Sequence, residues 1–274
     1  MFAPNPVPIT DAAYRAYAAQ VQQVADRFDI TLPTEPIEED DHFGAKIDLL
    51  LSDPVPVVSF TFGLPDEPVV QALQRAGTTV IQTVTSPEEA RLAAAAGVDM
   101  LAVQAAAAGG HSGTLRPDRM PADIGLDQLI RQVRDAVSLP VLAAGGLSLA
   151  EDIRDILGAG AEAAVVGTAL LLADESGASA THQRALTDPS HPETVLTRAF
   201  TGRPARGLRN HFIDAYEAAA PLGYPAVHHL TSPLRKAAAA AGEPGLVHLW
   251  AGTGYRNTET GPTATILSRL AAKA

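Results

Sequence analysis

Five short apolar runs, rich in β-branched residues, recur along the first two-thirds of the chain, and polar residues do not alternate through them. They are VPVVSF at 55–60, TTVIQTV at 78–84, DMLAVQ at 99–104, LPVLAAG at 139–145 and AEAAVVGT at 161–168. Continuous hydrophobicity over this length is typical of strands buried on both faces of a sheet. The pattern therefore predicts five strands of a parallel sheet.

Helical patterns occupy the intervals between these strands. Residues 66–77 repeat apolar side chains at helical spacing, namely Val69, Val70, Leu73 and Ala76. Ser86 is followed by Pro87 and then by Glu89, which is the spacing of a capped helix start, and Gly97 is expected to end that helix. Strands that alternate with helices predict an α/β fold.

A second capping pattern begins at Ser148, with Glu151 three positions later and LGAG at 157–160 as the expected helix end. The interval between the third and fourth strands is longer than the others and contains VQAAAAGGHSG at 103–113 and TLRPDRMPAD at 114–123. Loops that leave the carboxyl ends of parallel strands usually hold the chemistry of α/β enzymes. This long interval is therefore the candidate active site.

The composition suits one large globular domain, since 274 residues with 46% hydrophobic content fit a single (β/α) barrel covering 1–274. The repeating pattern stops after residue 173, so residues 173–274 are expected to form an extension that packs on the barrel. A net charge of −11 argues against nucleic acid and anionic membranes as partners. The absence of cysteine excludes thiol chemistry. Without an apolar leader or span, a cytoplasmic location is expected.

Two glycine turns follow the last two strands. Gly145 and Gly146 lie between a strand and a capped helix, and Gly167 with Thr168 ends the next strand. Amide groups of such turns, together with a helix N-terminus, can bind an anion, although a glycine can also simply form a turn. Two turns on consecutive strands favour a phosphate-binding site.

Three single residues, His111, Gln104 and Tyr255, can each be interpreted in two ways. His111 follows a strand inside the glycine-rich loop, which favours a functional histidine over a packing one. Gln104 donates either to a ring carbonyl of a ligand or to loop backbone, and Tyr255 either covers a ligand or closes a hydrophobic seam with Trp250. IEEDDH at 37–42 is interpreted as a solvated face. No residue set has metal-ligand spacing, so no metal is expected.

Several ordered motifs together resemble the nitronate monooxygenase family, formerly called 2-nitropropane dioxygenases. They are VQAAAAGGHSG, PVLAAGGLSLAEDI, VVGTALLLADESGAS, TRAFTGRPARGLRN and WAGTGY. The resemblance implies an FMN-dependent TIM-type (β/α)8 barrel that oxidises alkyl nitronates with O2 to carbonyl compounds and nitrite. About five of the eight strands are then present, and MFAPNP corresponds to the end of the third strand of the family.

The resemblance also implies roles for individual residues. His111 is the expected catalytic residue, and the FMN phosphate is expected on Gly145, Gly146, Gly167 and Thr168. The flavin ring is expected against Ala108, Gly109 and Gly110, with Gln104 and Tyr255 as further candidate contacts. The sequence departs from the family at Ala107, where a glutamate is usual.

Three alternatives to the nitronate reaction stay open. Two are FMN barrel reductases that use a reduced nicotinamide, an enoyl-thioester reductase and an NADH:quinone reductase. The third is an inactive barrel fragment. The expected partners are an alkyl nitronate and O2, and assembly into a homo-oligomer is left open.

Overall fold

Buried strands and amphipathic helices alternate along the first part of the chain, as the hydrophobic pattern predicts. The computed structural model describes residues 1–272. Its strands are β1 (Phe2–Ala3), β2 (Val57–Phe62), β3 (Thr79–Val84), β4 (Met100–Gln104), β5 (Gly110–His111), β6 (Val141–Ala144), β7 (Ala163–Val165), β8 (Thr194–Thr197) and β9 (Ala205–Leu208). Its helices are α1 (Asp11–Ala25), α2 (Phe43–Ser52), α3 (Glu67–Arg75), α4 (Pro87–Ala95), α5 (Leu126–Ala136), α6 (Ala150–Gly158), α7 (Ala180–Thr187), α8 (His211–Tyr216), α9 (Ala226–Ala241) and α10 (Thr263–Ala271).

The main sheet is parallel and has the order β1-β2-β3-β4-β6-β7. The five strands predicted from the hydrophobic runs are confirmed, and β1 lies in the segment expected to end a strand. Within residues 1–272, β1 and β7 each have one neighbour in this sheet. The parallel α/β prediction therefore holds, whereas the described residues form an open sheet and do not show the closure of an eight-stranded barrel.

The sequence predicts capped starts for α4 and α6. The predicted cap is present in α4, and a different cap is present in α6. The Ser86 hydroxyl oxygen accepts from the Glu89 amide at 3.2 Å, as predicted for α4. Helix α6 begins later than expected, at Ala150, and its cap acid is Asp152 rather than Glu151. The Asp152 carboxylate accepts from the amides of Ser148 and Leu149, both at 2.8 Å. Ser148 with Glu151 and Leu149 with Asp152 both have the spacing of an N-terminal cap. The direction of the acidic side chain decides which pair forms it.

A second sheet, of order β5-β9-β8, is antiparallel and was not predicted. Its strands have only two to four residues, and β9 contains a glycine and an arginine, so no hydrophobic run marks them. Helix α8 begins at His211, three residues after the end of β9 at Leu208. Asn210 caps α8 through its side-chain oxygen, which accepts from the Ile213 amide at 3.2 Å.

Two hydrophobic clusters form the interior. The first cluster joins the parallel sheet to helices α3 to α6, and α10 from the end of the chain packs there through Ile266 and Leu270. The second cluster joins α1, α7, α8 and α9 to the segment 246–255. Residues 173–272 thus contribute to both clusters. Among residues 1–272, none of the helices has the length and apolar character that crossing a membrane requires.

Candidate active site

A cavity of about 520 Å³ opens at the carboxyl edge of the main sheet, between the two clusters. Much of its wall is apolar, and it includes Phe2, Pro4, Phe62 and Tyr224. Among the residues predicted as site residues, His111 is the one that lines it. A concave apolar cavity with a few convergent polar groups is the usual form of a small-molecule site.

The hydrogen bonds of His111 define its tautomer. Its Nε2 lies 2.9 Å from the hydroxyl oxygen of Thr201. The Thr201 hydroxyl in turn donates to the carbonyl of Arg203 at 3.3 Å. A hydroxyl has one hydrogen to donate, so His111 Nε2 carries the proton of the first bond and Nδ1 holds the lone pair. His111 can therefore accept a proton at Nδ1.

Aromatic rings surround His111 and keep it uncharged. Its ring centroid lies 5.6 Å from that of Phe62, 5.6 Å from Tyr224 and 5.4 Å from Trp250, in edge-to-face arrangements. Burial, and to a smaller extent the charge of Arg203, lowers the pKa of His111 from 6.5 to about 3. The imidazole is therefore neutral at any physiological pH.

Arg203 places a positive charge in the same cavity wall, and sequence reasoning missed it. The residue is 1% exposed. Its Nε donates to the Ser112 carbonyl at 3.3 Å, and its Nη2 donates to the carbonyls of Phe62, at 3.5 Å, and Thr114. No carboxylate lies within 4.0 Å of the guanidinium among residues 1–272. The available signal was an arginine inside TGRPARG, a motif of the resemblance.

The charge of Arg203 is held without an ion-pair partner. Its guanidinium lies 4.0 Å from the ring centroid of Phe62, a cation–π contact that stabilises a buried cation. Burial lowers the pKa of Arg203 from 12.5 to about 10, so the group stays charged at neutral pH. Nη1 makes no hydrogen bond with the described residues. An unpaired buried cation beside a cavity is suited to an anionic ligand.

Phe62 adopts a backbone conformation that aromatic residues rarely take, with φ of 78° at the end of β2. Its ring stacks on Phe2 at 4.6 Å and faces Tyr224 at 5.3 Å. The strain is maintained because Asn5 donates to the Phe62 carbonyl at 2.8 Å. Such strain tends to occur where a side chain must point in one functional direction, here into the cavity.

The two glycine turns are built as the sequence predicts. Gly145 and Gly146 have φ of 120° and 79°, a region that side chains with a Cβ rarely adopt. A Cβ on Gly146 would lie 3.2 Å from the Cβ of Ala107. The amides of these glycines and of Gly167 donate no hydrogen bond to other described residues. They are available to an anion at the N-terminal end of α6.

The stretch of alanines and glycines at 105–110, which precedes His111, connects the glycine turns to the cavity. A Cβ on Gly145 would lie 3.1 Å from the Ala108 amide, so this part of the stretch packs on the first turn. A Cβ on Gly109 would lie 2.5 Å from the Gly252 amide. The small size of Gly109 is thus required by the packing of two chain segments. Gly110 has open space at its Cβ and φ of 79°.

The remaining candidates lie around this stretch. Gln104 uses both ends of its side chain on loop backbone, donating to the His111 carbonyl at 3.1 Å and accepting from the Gly113 amide at 2.6 Å. The Thr168 hydroxyl accepts from the Gly252 amide at 2.9 Å and retains its own hydrogen. Tyr255 is 3% exposed in the second cluster, and its hydroxyl donates to the His191 carbonyl at 2.8 Å.

Comparison with known proteins gives consistent results. A family model described as nitronate monooxygenase matches residues 1–273. A probable nitronate monooxygenase of Staphylococcus aureus (strain Newman) is 38% identical over 242 residues, which are 87% of this chain and 68% of that protein. A nitroalkane oxidase structure from Streptomyces ansochromogenes has a TM-score of 0.93 and 49% identity, over 100% of this chain and 78% of that one. FabK from Thermotoga maritima shares the fold, with a TM-score of 0.70 and 21% identity over 99% of this chain and 91% of that one.

Proposed function

This chain belongs to the nitronate monooxygenase family of oxidoreductases, and we propose that it binds FMN and oxidises alkyl nitronates with O2 to carbonyl compounds and nitrite. The observation that supports this most strongly is the cavity in which His111 and Arg203 face one apolar space. A nitronate is an anion with an alkyl tail. It matches an unpaired buried guanidinium in an apolar wall.

FMN fits the two glycine turns. Its phosphate would be held by the amide groups of Gly145, Gly146 and Gly167 and by the hydroxyl of Thr168. Ala108 and Gly110 lie between these turns and the cavity. Backbone at positive φ brings the amides close to a phosphate without an intervening side chain. FMN held there would supply the electron-acceptor chemistry that links oxidation of the substrate to O2.

The residues of the cavity have separate tasks toward the substrate. Arg203 compensates the negative charge on the nitro oxygens. A neutral nitroalkane must first lose a proton from its α-carbon, and His111 Nδ1 is the base that accepts it. The imidazolium formed in this way is stabilised by the nitronate anion beside it. The surrounding rings of Phe62, Tyr224 and Trp250 exclude water from both groups.

The test uses the full chain purified with its bound cofactor. We expect protein-bound flavin that is released as FMN, together with O2 uptake and nitrite formation when the nitronate of a simple nitroalkane is added. NADH oxidation without nitrite formation would place the chain among the flavin reductases. A protein that binds no FMN, even when FMN is added in excess, would contradict the proposal.

A further inference from the structure

A second histidine lines the cavity that contains His111. His228 lies in the first turn of α9, and its side chain forms part of the cavity wall together with Tyr224. The ring of Tyr224 contacts both histidines, with centroids 5.6 Å from that of His111 and 6.0 Å from that of His228. His228 has no part in the steps assigned to His111 and Arg203. A neutral histidine beside a site can donate or accept a hydrogen bond at a given nitrogen, and its tautomer decides which.

Arg235 fixes the tautomer of His228. Its Nη2 lies 3.3 Å from His228 Nδ1 and donates to the His228 carbonyl at 2.8 Å. A guanidinium can donate hydrogen bonds but cannot accept them, so His228 Nδ1 holds a lone pair toward it. In the neutral imidazole the hydrogen is therefore on Nε2. This Nε2 makes no hydrogen bond with the described residues, so its N–H group is available to a ligand.

The protein interior holds Arg235 in place. The residue is 4% exposed, and its Nε donates to the Thr231 hydroxyl at 3.0 Å. Among residues 1–272, no carboxylate lies within 4.0 Å of its guanidinium. Burial lowers the pKa of Arg235 from 12.5 to about 10, so the group stays charged at neutral pH. The guanidinium therefore remains a donor to His228 Nδ1.

His228 stays uncharged beside this cation. Burial, and to a smaller extent the charge of Arg235, lowers the pKa of His228 from 6.5 to about 4. His111 has the opposite arrangement, because its Nε2 donates to Thr201 and its Nδ1 lone pair is free. The cavity wall thus contains one histidine that can accept a proton and one that can donate a hydrogen bond.

We propose that His228 is a further substrate-binding residue, whose Nε2–H donates a hydrogen bond to a nitro oxygen, and that Arg235 is the positioning residue that holds His228 in this tautomer. The inference rests on the proposed function. A nitronate spreads its negative charge over two oxygens, so a second donor complements Arg203. A donor that is already fixed in direction needs no reorganisation when the anion binds.

The first experiment measures kcat and KM for one alkyl nitronate with the FMN-loaded enzyme. His228→Leu removes the donor, whereas His228→Gln places an amide N–H close to the position of Nε2. The matched control is His229→Leu, at the next residue of the same helix. His229 also lines the cavity, but its Nε2 is already 3.1 Å from the carboxylate of Glu39, in the largely exposed segment 37–42.

We expect His228→Leu to raise KM roughly tenfold, because a hydrogen bond to a charged group is lost, while kcat changes less. His228→Gln should recover most of the affinity, and His229→Leu should resemble the wild type. An unchanged KM in His228→Leu, or an equal rise in His228→Leu and His228→Gln, would overturn the inference. Absence of nitronate turnover in the wild type would instead count against the proposed function itself.

The second experiment observes the tautomer without any turnover, by long-range ¹H–¹⁵N NMR of the histidine rings. The signals of His228 are those that disappear in His228→Gln. We expect the wild type to carry the hydrogen on Nε2 at neutral pH. Arg235→Met should show both tautomers and a raised KM, and Arg235→Lys should restore the donor to Nδ1 and recover both properties. A wild-type spectrum with the hydrogen on Nδ1 would overturn the inference, whether or not Arg235→Met folds.

Discussion

At the scale of single residues, the cavity depends on two groups, one neutral and one positively charged. His111 is a neutral base whose Nε2 is committed to Thr201, and Arg203 is a permanent cation committed to three carbonyls. The position of His111 after a strand was sufficient to select it from the sequence. Arg203 was not selected, because its place in the motif TGRPARG is the one signal for it and no local pattern distinguishes a buried arginine from an exposed one.

Arg203→Met should weaken nitronate binding. A charge-assisted hydrogen bond contributes about 1.5–3 kcal/mol, so KM should rise roughly tenfold to a hundredfold while kcat changes less. Arg203→Lys should recover part of the affinity, because it restores the charge without the planar geometry. Arg209→Met, on the exposed surface, is the control. Steady-state kinetics on variants with a preserved thermal transition give the answer, and an unchanged KM in Arg203→Met would remove the residue from the site.

At the scale of elements, loops between strands and helices are fixed by buried polar contacts. Glu89 was predicted as a helix-cap residue, and its carboxylate does accept from the Thr85 amide at 2.6 Å. Its other oxygen accepts from the Thr114 hydroxyl and the Leu115 amide, at 2.6 and 2.7 Å. Capping is local and could be predicted from spacing. The bonds to residues 114 and 115 join distant parts of the chain and could not.

Gly146→Val should abolish FMN binding. The valine Cβ would lie 3.2 Å from Ala107 and would occupy backbone at φ of 79°, which β-branched residues rarely adopt. Gly158→Val, at the end of α6, is the matched control, because a Cβ there meets nothing within 4 Å. Fluorescence titration with FMN measures the affinity. The same Kd for Gly146→Val and the wild type would show that the phosphate binds elsewhere.

At the scale of the whole molecule, the candidate site lies where the two hydrophobic clusters meet. The parallel sheet was predictable because each strand is a continuous apolar run. The second sheet could not be predicted, and neither could the packing of α10 on the first cluster. Both depend on long-range contacts that leave no periodic pattern in the sequence. The same packing buries several histidines, which couples the stability of the fold to pH.

Acidification below pH 6.5 should destabilise the protein before its carboxylates titrate. Burial lowers the pKa of His111 and His248 to about 3 and that of His228 to about 4. The unfolded chain therefore binds protons as the pH falls below 6.5, while the folded protein does not. Stability contributed by these groups is complete above pH 6.5 and is lost as the pH falls to about 4 for His228 and to about 3 for His111 and His248. The loss is at most about 1.4 kcal/mol per pH unit for each histidine.

Denaturant unfolding at several pH values between 7.5 and 5 measures this dependence. The variant His42→Gln should keep it, because that side chain is exposed. A free energy of unfolding that stays constant over this range would show that the buried histidines take up protons in the folded state.

The role of His111 as the base of a flavin-dependent nitronate site can be tested by comparing two forms of one substrate. O2 uptake by the FMN-loaded His111→Asn variant is measured with a neutral nitroalkane and with its preformed nitronate. The nitroalkane needs a base, so its turnover should fall by about 10²–10⁴-fold. The nitronate has already lost its proton, so its turnover should fall no more than roughly tenfold. Equal losses on both substrates, or no loss on either, would show that His111 is not the base.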